Sequence, residues 1–278
     1  MRKLLYANFS RLWKSKAFLI AELGTGLLSL FMFGMLIYNT NNMGENWMQS
    51  NAHIYFFYIL LYIGAIMAIF ISSFLGTEYS DGTIRNKLVV GHARWRVYLA
   101  NLLVVCVAGI LFYCTYFLVS IVCIPFLGVG LYSCLMQPLL SFFFGIIIIL
   151  CYSALFTMIA MLDSAKARCS IISLILSLAL ILGGMMIYGN VTTEETKEQM
   201  VLMEDGSYER QIVPNPRYLT GTKRVIFEWI DSCLPVSQAF HVVSYEETPD
   251  GKGAVCLLGL SCAMTAAGIL LFKKKDIK

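Results

Sequence analysis

Charge is what this sequence has least of. Lysine, arginine, aspartate and glutamate make up 14% of its 278 residues, where ordinary soluble domains carry about 25%. Catalytic and cofactor signatures are missing too. There is no G-x-x-x-x-G-K-[ST] loop to cradle nucleotide phosphates, no H-E-x-x-H pair and no nucleophile elbow, so no residue is marked as catalytic. The three histidines, His53, His92 and His241, are scattered, and the nine cysteines contain no C-x-x-C pair, which leaves no metal-ligating set. Cys106, Cys114, Cys123, Cys151, Cys256 and Cys262 sit inside apolar runs, where a thiol behaves as a small hydrophobe. Cys134 and Cys233 lie outside those runs, where they either meet as a disulfide or stay unpaired. The basic residues behind the net charge of +4 flank apolar runs instead of forming a face of their own, so no nucleic-acid partner is expected.

What is present is apolar length. Hydrophobic residues reach 58% and the mean hydropathy is +0.72, and six runs have the roughly 20 residues needed to cross a bilayer as a helix. They fall at about 17–38, 54–75, 99–124, 138–162, 169–188 and 254–272. The expected fold is therefore an all-α polytopic membrane protein, a single transmembrane domain over residues 1–278. Apart from Glu22 the spans carry essentially no ionisable side chain, whereas an ion-coupled carrier generally places such groups near the membrane midplane. A machine of this kind needs its energy from outside.

The polar stretch Gly76–Tyr98 separates the second and third spans. Ser80 or Asp81 can cap a short helix there, with Ile84 and Leu88 four apart on one face and Gly91 ending it in the left-handed region. Arg94-Trp95-Arg96 then anchors the next span at the interface. Glu78, Gly82, Thr83, Arg85, Asn86 and Lys87 in this stretch resemble the cytoplasmic coupling segment of ABC-2-type exporter permeases. The six-span layout and the tail Leu271-Phe272-Lys273-Lys274-Lys275-Asp276-Ile277 extend the likeness. It implies that this loop docks on a cytosolic ABC ATPase; Ile84 and Leu88 are then expected as the apolar contacts, Arg85 and Lys87 as the charged rim, and Glu78, within sequence reach of Arg85 and near a helix start, as the residue that holds the loop in shape. ATP and Mg would be bound by the ATPase, with no cofactor in this chain.

The N-terminal residues Arg2 to Lys16 hold five basic residues and no acid. Leu5, Phe9, Leu12 and Trp13 follow helical spacing, which fits a helix lying in the interface; the resemblance implies an elbow helix here. A signal peptide is the rival reading, but the run that follows is too long and lacks a small-x-small cleavage site. Glu22, about one and a half turns into the first span, is either a functional carboxylate or one that reaches headgroups or Lys16. Basic residues number five in the N-terminal segment, four in 76–98, two in 163–168 and four in the tail, while the short loops at 39–53 and around Pro125, Gly128 and Gly130 have none. Both termini are thus expected to be cytoplasmic.

The long loop 189–253 is expected outside, as a small cap or an irregular tether. Asp205-Gly206 favours a two-residue hairpin turn between 199–204 and 207–213. Val225–Ile230 and Pro235–Val243 are predicted as short helices, the second with Pro235 in its first turn. In the last span Gly259, Ala263 and Ala267 form a small-xxx-small row that suits close helix packing or is simply the usual composition of such spans. Taken with the resemblance, the chain reads as the membrane subunit of a bacterial ABC exporter, paired with a second permease subunit and moving an amphipathic or peptide-like substrate. The family includes permeases that clear lantibiotics and bacitracin. An ion-coupled carrier or a non-transporting scaffold or sensor is the alternative.

Overall fold

The computed structural model describes residues 1–44, 51, 53–123, 136–202, 208–244 and 251–276. The expected outer turn at Pro125, Gly128 and Gly130, Cys134, and the turn at Asp205-Gly206 lie outside them. Cys233 carries no disulfide.

A short helix, α1 (Arg2–Lys14), leads into the first long one, α2 (Lys16–Met43). The joint is Ser15, whose extended backbone breaks the helix while its hydroxyl accepts the Phe18 N–H as an N-cap. Next come α3 (Ile59–Ser80), within a helical stretch His53–Ser80, the seven-residue α4 (Thr83–Val89), α5 (Arg94–Cys123), α6 (Met136–Leu162) and α7 (Lys166–Val191). An antiparallel hairpin follows, β1 (Thr196–Leu202) and β2 (Tyr208–Pro214), with Thr196 opposite Pro214 and Leu202 opposite Tyr208. Two amphipathic helices, α8 (Gly221–Cys233) and α9 (Pro235–Ser244), precede the last long helix, α10 (Gly251–Lys274). Six of these helices are long and apolar enough to cross a membrane.

The helices run past their apolar cores. α2 continues to Met43 and α7 to Val191 because polar residues in the extra turns bond their own chain: Thr40 donates to the Leu36 carbonyl, Asn42 to Tyr38 and Thr192 to Tyr188. α3 likewise extends through Ser80. This puts Glu78 on the last turn of a helix, where a position in the following loop was expected.

α3 and α6 form the buried centre of the bundle, and α5 packs on both. α2, α7 and α10 are peripheral and leave much of their apolar surface exposed. Tyrosines of one span fill glycine sites on the next: the Tyr152 ring of α6 lies over Gly64 of α3, and the Tyr113 ring of α5 lies over Gly145 of α6, each so close that a Cβ would come within 2.9 Å of it. At α10 the small-residue row is not where the closest approaches lie. A Cβ on Gly259 would meet nothing within 4 Å among the described residues, and the close approaches occur instead at Gly253 and Gly268.

The elements alternate between two ends. One end gathers α1, α4, the 163–168 loop and the tail after α10, and holds most of the basic residues. The far end carries the hairpin, α8 and α9. There α9 is drawn into the bundle against α7, α6 and α3, with Val236, Ala239 and Val242 buried, and His53 at the start of the second span bonds the Val242 carbonyl at 2.7 Å.

Candidate functional site: a buried polar ring at the basic end

α4 is built by its glycines. Gly82, at φ +67°, turns the chain out of α3 and stands as the N-cap, with its carbonyl accepting from Asn86 at 3.0 Å. The left-handed conformation there explains why neither Ser80 nor Asp81 serves as the cap. At the other end Gly91, at φ +95°, closes a Schellman motif: Gly91 N–H donates to the Leu88 carbonyl at 2.9 Å and His92 N–H to Lys87 at 3.2 Å.

Between these turns the seven-residue helix lies against the ends of α3 and α5. Ile84 is 1% exposed. It therefore packs inward and is not the outward contact that its spacing with Leu88 suggested, since the face shared by the two looks into the bundle. Outward lie Arg85, Asn86 and two valines, Val89 and Val90, at 78% and 77% exposure. Gly82 and Thr83 sit at the hinge, and the Thr83 hydroxyl donates to the Glu78 carbonyl at 3.0 Å.

Glu78 is the centre of the site. It is 1% exposed, and its partners come from three other helices. Arg11 of α1 and Lys87 of α4 both reach Oε1, while the Asn101 amide of α5 donates to Oε2 at 2.8 Å. Lys87 Nζ donates also to Asn8 Oδ1 at 2.8 Å, and Asn8 Nδ2 donates to Asn101 Oδ1 at 2.6 Å. The ring Glu78–Lys87–Asn8–Asn101 closes on itself and ties α1, α3, α4 and α5 together. Lys87 is thus a half-buried member of the network whose ammonium points inward to Glu78 and Asn8, not a rim residue, and Arg85 makes no ion pair among the described residues.

Burial lowers the Lys87 ammonium and the Arg11 guanidinium from their ordinary values, against the pull of Glu78. Arg11 also lies over the Phe74 ring at 4.0 Å, and its Nε and Nη2 have no hydrogen-bond partner among the described residues. One carboxylate shared by two cations makes this a positively biased, water-poor node.

Asn8, Arg11 and Asn101 were not legible as site residues. Asn8 falls on the row Leu4, Asn8, Leu12 that α1 buries, one position off the expected Leu5, Phe9, Leu12, Trp13 face, and Trp13 is exposed. The available signals were weak: a lone amide within the apolar run of α5, and an asparagine in register with two leucines.

Glu22 stands apart from this ring. Its Oε1 accepts the Thr115 hydroxyl of α5 at 2.5 Å, and its Oε2 is buried with no partner among the described residues. Lys16 is not its partner.

At the far end a cleft of about 930 Å³ lies between the end of α7 and α8, bordered by Glu194, Glu195, Tyr218, Arg224 and Trp229. Asp231 forms part of its wall, held by Ser237 at 2.5 Å, Gln238 at 3.1 Å and His241 at 3.1 Å.

Six membrane-length helices, with a short helix tied through Glu78, Asn8 and Asn101 to α3, α1 and α5 at one end, define a polytopic membrane protein. A family model described as ABC-2 family transporter protein matches residues 4–184, from α1 through most of α7. The chain belongs to that family and is an ABC transporter permease, a membrane component of a kind whose family implies an ABC ATPase as partner. No curated protein matches it.

Proposed function

We propose that this chain is the membrane subunit of a bacterial exporter in which a separate cytosolic ATPase pushes on α4, and that the basic end faces the cytoplasm. The single observation that carries the reading is the buried ring around Glu78. It makes α4 one rigid piece with α1, α3 and α5, so a displacement of α4 cannot be absorbed locally and must move the spans. The docking surface is then the outward side of α4: Val89 and Val90 as the apolar centre, with Arg85 and Asn86 beside them. Glu78, Lys87 and Ile84 act from behind, by holding that surface in place.

The cytoplasmic assignment is supported by the basic residues gathered at that end. Two permease subunits and two ATPases form the working unit, and the apolar outward faces of α2 (Leu23, Leu27, Leu30) and α7 (Ile175, Leu182, Met186) suit a second subunit as well as lipid. An amphipathic or peptide-like substrate is consistent with spans rich in Phe, Tyr, Leu and Ile.

The test is purification in mild detergent from the native host. An ABC ATPase should accompany the wild-type chain. Val89→Asp combined with Arg85→Glu should weaken its retention at least about tenfold, as loss of a hot spot worth about 2 kcal/mol does, while expression and thermal stability stay unchanged because both side chains are exposed. Full retention by that variant would remove α4 as the docking element.

A further inference from the structure

The last helix touches both ends of the molecule. α10 is 24 residues long, about 36 Å at ~1.5 Å per residue, and although most of its surface is exposed, its first and last turns are locked. At the basic end Arg94, the first residue of α5, donates from Nη1 to the carbonyls of Phe272 and Lys273, each at 3.1 Å, and to that of Lys275. A helix leaves its last carbonyls unpaired and carries a negative pole there, so a guanidinium in this place caps the end and neutralises it.

Lys275 answers in the opposite direction. Its Nζ donates to the Met161 carbonyl in the last turn of α6 at 3.1 Å and lies 4.0 Å over the ring of Tyr79. The Tyr79 hydroxyl donates to that same carbonyl at 2.5 Å, and Tyr79 is the neighbour of Glu78 in α3. One turn higher, Gly268 lets α10 lie directly on the Tyr98 phenol of α5, where a Cβ would overlap it. The end of α10 is therefore tied to the residues that enter and leave the polar stretch around α4.

At the far end the first turn of α10 meets the cleft. A Cβ on Gly253 would overlap the Gln238 amide, and this amide donates to the Asp231 carbonyl at 3.0 Å and to its Oδ2 at 3.1 Å. Asp231 belongs to the wall of the cleft.

Resting on the reading above, we infer that Arg94 and Lys275 are positioning residues that latch α10 to the ATPase-facing end, and that α10 is the rod carrying movement from there to the far-end cleft through Gly253 and Gln238. A straight helix moves as a unit along its axis, and contacts at both ends without slack pass that movement on.

The experiment uses the full chain with its ATPase in lipid nanodiscs, with Val225→Cys as the reporter at the cleft and the native cysteines replaced. Labelling by an impermeant maleimide is measured with and without ATP and vanadate. With the latch intact, nucleotide trapping should change the labelling rate severalfold. Arg94→Gln with Lys275→Gln should abolish that change while ATPase retention and ATP hydrolysis persist, and Lys275→Arg alone should keep it.

Gln238→Ala, which leaves the basic end untouched, should abolish the response from the opposite side and decides the matter if the double variant fails to assemble. A nucleotide response that survives Gln238→Ala, or an unresponsive cleft in the wild-type complex, would overturn the inference. If no ATPase accompanies the wild-type chain, the transporter reading falls, and the latch with it.

Discussion

Glu78 is a carboxylate with no exposed surface of consequence and two cations on one oxygen. Breaking such a pair by removing one member leaves a buried charge without compensation and costs about 3–5 kcal/mol, while removing both members costs far less than the two single changes together. Glu78→Ala should therefore lower the chemical unfolding free energy by about that amount and speed amide exchange in α4. Adding Lys87→Met to Glu78→Leu should recover part of the loss. Additive losses would show that the two side chains do not interact.

The buried placement also changes what a charge at position 84 would do. Ile84→Asp would insert a carboxylate into the bundle, and its effect would be on folding before it was on docking. Glu22 differs from Glu78 in having, among the described residues, a single hydroxyl partner, Thr115. Glutamine can still accept that bond, so Glu22→Gln should leave the unfolding free energy within about 1 kcal/mol of wild type.

The elements were legible where hydrophobic runs were long or amphipathic and illegible where contact decided. The six long helices follow from run length, and α8 and α9 from apolar spacing with Pro235 at a first turn. The paired strands were legible as well, though they start at Thr196 and Tyr208, and the expected Asp205-Gly206 turn lies outside the described residues. Which glycines matter was not. Gly64, Gly145 and Gly259 look alike in sequence, yet the first two receive tyrosine rings and the third faces open space.

This difference can be measured. Gly64→Val and Gly145→Val should each cost about 1–3 kcal/mol by forcing Tyr152 or Tyr113 off its site. Gly259→Ala should be neutral, or stabilising by up to about 1 kcal/mol through helix propensity. Equal losses at all three positions would mean that the tyrosine contacts contribute nothing.

For the whole molecule, the proposed orientation rests on the crowding of basic residues at one end. Single cysteines at Asn41 and Thr222 should react with an impermeant reagent in intact cells, whereas those at Asn86 and Ala165 should react only after the membrane is opened; the reverse pattern would invert the assignment of sides. The sequence by itself determined that the chain crosses a membrane six times, where the polar breaks fall and which segments share an end, because these depend on the length of apolar runs and on charge counts, both of which are local and additive. Only the tertiary structure decided that Glu78 points inward, that its partners are Arg11, Lys87 and Asn101 with Asn8 bridging the last two, that Ile84 is buried on the inner face of α4, and that α10 is fastened at both ends. Those outcomes depend on which helix faces meet, and residues up to 93 positions apart in the chain form the ring. A single asparagine on a packed face leaves no periodic trace from which such a meeting can be read.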